Sequence, residues 1–282
     1  MYYYIVDPQK ISQRQFERVQ NNLYSSLSEY RISGETARVT GLRTITQLVE
    51  GAFARGVRTL VAVGTDETLH EVINALKGRD MVVGFVPLVQ TELSQILGLP
   101  SIEHAAKTIG LRRVAELDLA SVNDTLFLSK LTFGSAAKTS GWSSFLNFKV
   151  LQDLWKLPVF QIKFSADNNN FQGSLSAVGG SVVNSRAGNE ESTMFNPTDG
   201  VLDLLLLPKL SKLATFKYRQ AILKGEYEKI PGSSLVHVRQ LEINLPVGLP
   251  LKAGERVIAR TPAQIKVLPK ALKIIVGRDR KF

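Results

Sequence analysis

The hydrophobic positions in the first hundred residues follow two different periods. Short apolar runs typical of buried strands occur in YYYIVDP, VRTLVAV and MVVGFVP. Between them, apolar residues three or four positions apart predict helices in ISQRQFERVQNNLYSSL, GLRTITQLVEGAFARG and LHEVINAL. The second of these has Leu42, Ile45, Leu48, Val49 and Phe53 along one side. This order predicts a parallel sheet with helices on both of its faces.

Beyond about Leu111 the pattern changes to extended segments separated by turn residues. The segments favouring strands are LFLSKLTFG, FQIKFSA, GSLSAVGG, VLDLLLLP, VHVRQLEINL, ERVIAR, AQIKVLP and ALKIIVG. DNNN, NPTDG and KAGE favour turns. A single helix is predicted among these strands, from Ser144 to Leu157, and its aromatic face suits a core better than contact with a membrane. The pattern predicts a second, mostly antiparallel domain.

Charge and composition narrow the class of partner and the compartment. The 282 residues carry a net charge of +10, which favours an anionic partner such as nucleic acid, nucleotide or acidic lipid. The segment from Leu251 to Phe282 alone carries nine Lys or Arg against two Asp or Glu, and a solvated charged face explains it equally well. The absence of Cys excludes disulfides and cysteine metal sites. Without a basic leader or about 18 consecutive apolar residues, we expect a cytoplasmic protein that does not span a membrane.

Candidate chemistry is concentrated in VAVGTDETLHEVINAL, residues 61–76. A glycine turn at Gly64, between a buried strand and a helix N-terminus, lets backbone N–H groups converge on an anion. Asp66 then stands at the carboxyl edge of the sheet, where it can hold Mg²⁺ or a nucleotide hydroxyl. A structural explanation competes for part of the segment, because Thr68 and Glu71 form a T-x-x-E capping box.

The same segment resembles the signature of a known enzyme family. From Gly64 to Leu76 it reads G-x-D-x-T-x-x-E-V-x-N-x-L. This resembles the G-G-D-G-T-x-x-E-V-x-N-G-L motif of the diacylglycerol kinase catalytic family, which includes bacterial lipid kinases and sphingosine kinases. YIVDP resembles the family's opening I-x-N-P, and GFVPL with LGLP frames the next nucleotide loop. FNPTDGVLDLLLLP resembles its D-G-x-L-D strand, and KAGERV its D-G-E motif.

The resemblance implies a fold, cofactors and partners. It implies a three-layer α/β nucleotide-binding-like domain over 1–114 and a β-sandwich lipid-substrate domain over 115–267, with the hinge near Arg112 to Asp118. The last strand, in 268–282, is expected to return to the first domain. The implied cofactors are ATP and Mg²⁺, bound with a lipid in the cleft between the domains. The implied partner is a lipid or an anionic membrane surface rather than nucleic acid, with peripheral membrane association and a homodimer as further expectations.

The resemblance also assigns roles to individual residues. Glu255 is implied as the general base and Asp66 as the organiser of Mg²⁺ and phosphates. Asp199 is implied as a structural magnesium ligand, although Asp-Gly is also a common hairpin turn. The residues implied at the nucleotide are Thr40, Gly64, Thr65, Asp66, Glu67, Thr68 and Glu71.

Several positions depart from the family pattern. Thr65 replaces the second Gly, Glu67 replaces the Gly after Asp, and Ala253 replaces the Asp of D-G-E. The segment Leu88 to Glu92 stands where G-T-x-N-D is usual. A carboxylate about 4 Å from a phosphate charge costs roughly 4 kcal/mol at an effective dielectric near 20. Two hypotheses therefore stand: an ATP-dependent kinase acting on a diacylglycerol-like lipid hydroxyl, and an inactive pseudokinase that binds a membrane surface or a protein.

Overall fold

The computed structural model describes residues 1–8, 13–134, 159–166, 171–184, 196–224, 226–245, 247–254 and 256–282. The predicted helix from Ser144 to Leu157 and the side chain of Glu255 lie outside these residues. The chain divides into two compact units. The first unit comprises Met1–Leu119, Arg186–Thr198 and Pro269–Phe282, and the second comprises Ala120–Ser185 and Asp199–Leu268.

The described residues form helices mainly in the first unit and strands in both. The helices are α1 (Gln13–Glu29), α2 (Ile45–Ala54), α3 (Asp66–Leu76), α4 (Glu92–Ile96), α5 (Ile102–Leu111), α6 (Lys212–Lys217), α7 (Arg219–Lys224) and a short 3-10 helix (Tyr227–Lys229). The strands are β1 (Tyr2–Val6), β2 (Gly34–Arg38), β3 (Thr59–Gly64), β4 (Val82–Pro87), β5 (Val114–Val122), β6 (Thr125–Phe127), β7 (Lys130–Gly134), β8 (Phe160–Ala166), β9 (Phe171–Ala177), β10 (Gly179–Val183), β11 (Leu202–Leu207), β12 (Ser234–Val238), β13 (Gln240–Leu245), β14 (Pro250–Ala253), β15 (Arg256–Arg260) and β16 (Ala263–Ile275).

The first unit is built on a parallel sheet. Its strands lie in the order β2-β1-β3-β4, and the end of β16 adds a parallel strand through the pairing of Lys273 with Val82. Strand β3 is buried along its whole length, as expected for a strand covered on both faces. Helix α2 packs against α3 and α1 packs against α5, which gives the two helical layers. The predicted three-layer α/β arrangement is confirmed.

The second unit is mostly antiparallel, as predicted. One sheet has the order β12-β11-β10-β7-β14-β15, and the first part of β16 pairs with β13, which continues to β8 and β9. Alternate residues of β11, Leu202, Leu204 and Leu206, enter a buried apolar cluster. That cluster also takes Leu241 and Ile265 from β13 and β16, so it is the core of a β-sandwich-like unit.

Some element boundaries differ from those predicted. Helix α2 begins at Ile45 rather than near Leu42, because the Thr44 side chain accepts a hydrogen bond from the Gln47 N–H and caps the helix. Leu42 precedes the helix and is 91% exposed, and Phe53 is 41% exposed, so the predicted apolar side is shorter than expected.

The segment predicted as a hinge, Arg112 to Asp118, includes the first residues of β5. Within it, the Asp118 carboxylate accepts a hydrogen bond from the Lys270 N–H at 2.8 Å. Lys270 has a positive φ of 53° and lies inside β16, where the sequence predicts two separate strands. The hydrogen bond to Asp118 thus fixes the backbone at Lys270. Strand β16 continues through this residue, although Pro269 suggests a break.

Candidate functional site

The carboxyl ends of the parallel strands meet at one edge of the first unit. The Asp7 N–H donates to the Val63 carbonyl at 2.9 Å, which joins the end of β1 to that of β3. The Leu88 N–H donates to the Gly64 carbonyl at 2.9 Å and joins β3 to the loop after β4. Open α/β sheets bind ligands at this edge, so the candidate site is built from these loop ends.

A chain of hydrogen bonds links the start of α3 to the end of β1. The Thr65 N–H donates to Thr68 Oγ1 at 3.1 Å, and the Thr68 hydroxyl donates to Asp7 Oδ2 at 2.9 Å. Thr68 is 1% exposed and Asp7 is 8% exposed. A side chain at Gly64 would overlap Thr68, so glycine is needed here for close packing of strand against helix. The Thr68 hydroxyl proton is thus committed to Asp7, a residue for which sequence reasoning assigned no role.

The capping box predicted from Thr68 and Glu71 is wrong. Helix α3 begins at Asp66, three residues earlier than predicted, with Thr65 in the extended N-cap conformation. Thr68 is therefore the third helical residue rather than the cap. Glu71 lies in the following turn, where it is exposed.

Asp66 is held in place by the loop that follows β4. Its Oδ1 atom accepts a hydrogen bond from Thr91 Oγ1 at 2.7 Å. Thr91 in turn caps α4, since its Oγ1 accepts from the Ser94 N–H at 3.1 Å. The segment Leu88 to Glu92, whose sequence does not resemble the family loop, therefore orients the candidate catalytic carboxylate. The Thr91-Glu-Leu-Ser94 spacing at a helix start is the sequence signal that could have indicated this cap.

The N-terminus of α3 carries two acidic side chains. Asp66 and Glu67 are both half-buried in its first turn. Carboxylates at this position are stabilised by the partial positive charge of the helix end, which they also neutralise. This helix end therefore attracts a free phosphate less than a glycine-rich cradle does.

The contacts of Thr40 and His70 also bear on the candidate site. Thr40 follows β2 and is exposed, and its Oγ1 accepts from the Arg43 N–H at 3.1 Å in a tight turn. His70 lies in α3, where burial lowers the pKa of its imidazole to about 4. Its Nε2 atom is buried with no hydrogen-bond partner among the described residues, so His70 is neutral at pH 7.

The second unit contains two neighbouring acidic residues, Asp199 and Asp203, of which only Asp199 was predicted from the sequence as a site residue. Asp199 Oδ1 accepts from the Val201 N–H at 3.0 Å, and Gly200 has a φ of 71°, which is the geometry of a turn. Four residues on, Asp203 is buried in β11 and its carboxylate is hydrogen-bonded to His237 Nδ1 of β12. Burial raises the pKa of Asp203 to about 6, against the lowering effect of His237, and the charge of Asp199 adds to the rise.

The donor set fits a magnesium ion carried by a nucleotide better than a metal held by protein alone. In the described ranges no three His, Cys, Asp or Glu side chains are grouped as metal ligands. Mg²⁺ is commonly bound by one or two carboxylates together with substrate phosphate oxygens. Asp66, fixed by Thr91 at the sheet edge, supplies one such carboxylate.

Comparison with known proteins agrees with this architecture. A family model described as the diacylglycerol kinase catalytic domain matches residues 2–122. A second, described as the YegS C-terminal NAD kinase beta sandwich-like domain, matches residues 149–276. The chain belongs to the diacylglycerol kinase catalytic family. The family predicted from the motif between Gly64 and Leu76 is therefore confirmed.

Individual relatives match this chain over different lengths. A protein named probable lipid kinase YegS-like from Pseudomonas aeruginosa is 32% identical over 176 residues, covering 57% of this chain and 58% of the relative. The chain thus spans less than two thirds of that relative's length. The diacylglycerol kinase of Bacillus subtilis is 22% identical over 251 residues, 83% of each chain. A crystal structure of a diacylglycerol kinase from Bacillus anthracis str. Sterne has a TM-score of 0.76 at 20% identity, covering 98% of this chain and 97% of that one. This last match shows a shared fold.

Proposed function

We propose that this member of the diacylglycerol kinase catalytic family transfers the γ-phosphoryl group of ATP to the hydroxyl of a diacylglycerol-like lipid, in a Mg²⁺-dependent reaction. The observation that carries the proposal is the fixed position of Asp66. Its carboxylate lies at the carboxyl edge of a parallel sheet and is oriented by a 2.7 Å hydrogen bond from Thr91. Phosphoryl transfer depends mainly on positioning and electrostatic stabilisation, so an oriented carboxylate suits it.

The residues of the chain have separate roles in this proposal. Mg-ATP, when bound, supplies the transferable phosphoryl group and the metal charge. Asp66 binds the metal, and the exposed Thr40 contacts the nucleotide. Thr68, whose hydroxyl is bonded to Asp7, positions the start of α3 rather than contacting the nucleotide. Glu255 is assigned as the base from its place in KAGERV.

The reaction balances with these groups. The lipid hydroxyl oxygen forms a bond to the γ-phosphorus as the bond from that phosphorus to the bridging oxygen breaks, and ADP leaves. The hydroxyl proton passes to the carboxylate of Glu255. The products are a phosphorylated lipid and ADP, and no oxidant or reductant is required.

One observation favours the second candidate function, that of a pseudokinase. Glu67 is half-buried in the first turn of α3, next to Asp66. Two carboxylates at one helix end repel a phosphate unless a metal ion lies between them. In this alternative the chain keeps the family fold and binds a membrane surface or a protein without transferring a phosphoryl group.

Peripheral binding to an anionic membrane belongs to both candidates. In α6, Leu213 is 85% exposed and Phe216 is 52% exposed, and Lys212 and Lys217 lie beside them in sequence. Exposed apolar side chains flanked by cations are typical of surfaces that insert into the headgroup region of anionic bilayers. The helices that the structure describes include no candidate for a membrane-spanning segment.

A phosphorylation assay tests the proposed activity. The purified chain is incubated with Mg²⁺, radiolabelled ATP and diacylglycerol in vesicles, and label is counted in the extracted lipid. We expect Mg²⁺-dependent labelling that falls at least a hundredfold in Glu255→Gln and is unchanged in Glu17→Gln, which alters an exposed glutamate of α1. Absence of labelling with every variant would contradict the kinase proposal and favour the pseudokinase.

A further inference from the structure

A cavity of about 360 Å³ lies in the first unit between α5 and the C-terminal segment. His104, Lys107, Thr108 and Leu111 line it from one face of α5, since they are three, four and seven positions apart. The opposite wall is formed by the residues that follow β16, from Val276 to Asp279. We call this the α5–C-terminal pocket. It shares no residue with the site at the start of α3.

The far wall of the pocket is fixed although it lies near the end of the chain. The Val276 N–H donates to the Arg113 carbonyl at 2.9 Å, and the Gly277 N–H donates to the Leu97 carbonyl at 2.8 Å. Beyond the pocket, the Lys281 N–H donates to the Ile96 carbonyl at 2.9 Å. These bonds fix the pocket-lining segment at its first two residues and again just beyond its last one.

Two glycines allow this close packing. A Cβ on Gly277 would overlap the carbonyl of Gly98, and a Cβ on Gly98 would lie 2.7 Å from the backbone nitrogen of Arg280. Gly98 also has a φ of 71°, which favours glycine. Gly98 and Gly277, which both line the pocket, therefore bring two backbone segments into direct contact there.

The charged groups that line the pocket are mostly cations. Lys107, Arg113 and Arg278 oppose a single carboxylate, Asp279, which leaves a net charge of +2 from these four side chains. Among the residues that the structure describes, the side chains of these three cations have no ion-pair partner. Cations around a concave surface concentrate the positive potential there, because the low-dielectric walls focus the field.

The other groups that line the pocket indicate which type of anion it suits. His104 Nδ1 is within 2.9 Å of Ser101 Oγ, so its other ring nitrogen is the one left for a ligand. Two Arg side chains provide the forked N–H donors that match phosphate oxygens. Leu111 and Val276 add an apolar surface for the organic part of a ligand. The volume suits a headgroup-sized molecule.

We propose that the α5–C-terminal pocket binds a phosphate monoester. This chemistry occurs both in soluble phosphorylated metabolites and in the headgroup of a phosphorylated lipid. The inference does not depend on the proposed function, because neither Asp66 nor Glu255 contributes to the pocket.

Calorimetric titration with three probes tests the proposal: inorganic phosphate, glycerol 3-phosphate and dioctanoyl phosphatidic acid below its micelle concentration. We expect saturable binding of at least one probe. Affinity should fall at least tenfold in the Lys107→Ala/Arg278→Ala double variant and stay unchanged in Arg14→Ala, which removes an exposed cation from α1. Binding of both organic probes would assign the site to the phosphorylated glycerol group, whereas binding of the lipid alone would assign it to a lipid headgroup.

A second variant separates pocket shape from charge. Gly277→Ala keeps every cation but forces the C-terminal wall away from Gly98, so we expect the same loss of binding. Circular dichroism confirms that each variant is folded. The proposal is overturned if no probe binds saturably, or if the double variant binds as tightly as Arg14→Ala. Failure of the kinase assay alone leaves the pocket proposal unaffected, because the probes are titrated without ATP.

Discussion

Asp66 is the residue on which the proposed chemistry depends most. It is half-buried, its Oδ1 accepts from Thr91, and it lies in the first turn of α3. A half-buried Asp at the start of a helix contributes little to the apolar core. Its replacement therefore separates a catalytic role from a structural one.

We predict that Asp66→Asn abolishes lipid phosphorylation and lowers the melting temperature by only a few degrees. The amide cannot bind Mg²⁺ as a carboxylate does, although it can still accept from Thr91. Asp80→Asn is the matched control, because Asp80 is exposed and pairs with Lys273 at 2.7 Å away from the proposed site. An unchanged phosphorylation rate in Asp66→Asn would remove this residue from the mechanism.

His70 and Asp203 should give opposite pH dependences of stability. Burial lowers the pKa of His70 from 6.5 to about 4, so the unfolded chain binds a proton before the folded chain does as the pH falls. The stability of the folded chain therefore decreases as the pH falls from 6.5 to 4. Asp203 has its pKa raised from 3.8 to about 6, mainly by burial, so the folded chain binds a proton first. Its contribution to stability therefore rises as the pH falls from 6 to 4. Each effect is on the order of 3 kcal/mol at about 1.4 kcal/mol per pH unit.

Replacing one of these two residues should reveal the pH dependence of stability that the other one contributes. We predict that in His70→Gln the free energy of unfolding rises as the pH falls from 6 to 4.5, and that in Asp203→Asn it falls more steeply than in the wild type. Urea unfolding across this range provides the measurement. Parallel pH profiles for the two variants would contradict the opposite signs.

The junction of β3 with α3 depends on close packing. A side chain at Gly64 would overlap Thr68, which is itself bonded to Asp7. In contrast, a Cβ on Gly51, inside α2, meets no atom within 4 Å. Replacement of glycine by alanine can therefore be compared at a tightly packed position, Gly64, and at an open position, Gly51.

We predict that Gly64→Ala lowers the free energy of unfolding by about 1–3 kcal/mol, because the added methyl group displaces Thr68. Gly51→Ala should raise it by about 0.5–1 kcal/mol, because alanine is the better helix former. Urea unfolding of both variants checks this pair. Equal effects at the two positions would show that the junction tolerates a side chain.

Helix α6 gives a prediction about membrane binding. Leu213→Ser with Phe216→Ser should reduce flotation with anionic vesicles at least threefold, since the exposed apolar side chains no longer insert. Val247→Ser changes another apolar residue of the second unit, 70% exposed, and should leave flotation unchanged. Binding should also weaken with added salt and with neutral vesicles. Equal recovery with anionic and neutral vesicles would refute this surface.

Hydrophobic periodicity and the order of the motifs along the chain were enough to predict the family and the fold class of both units. Buried strands such as β3 are continuous apolar runs, and the sandwich strands are separated by strong turn residues. The start of α3 was misplaced because Thr65 and Thr68 both suit a cap, and only the backbone decides between them. The links from Thr91 to Asp66 and from Asp203 to His237 join residues 25 and 34 positions apart, and no local pattern encodes such contacts.

We propose that the start of α3 is a nucleotide site weakened by Thr65 and Glu67. Calorimetric titration with Mg-ATP of the wild type, Glu67→Gly and Thr65→Gly/Glu67→Gly tests it most directly. Glycine is acceptable at the N-cap, so the double variant should fold. We predict a graded rise in affinity of at least tenfold overall, about 1.4 kcal/mol, as like-charge repulsion and a Cβ are removed. Affinity that stays flat or falls across the series would contradict this account of the site.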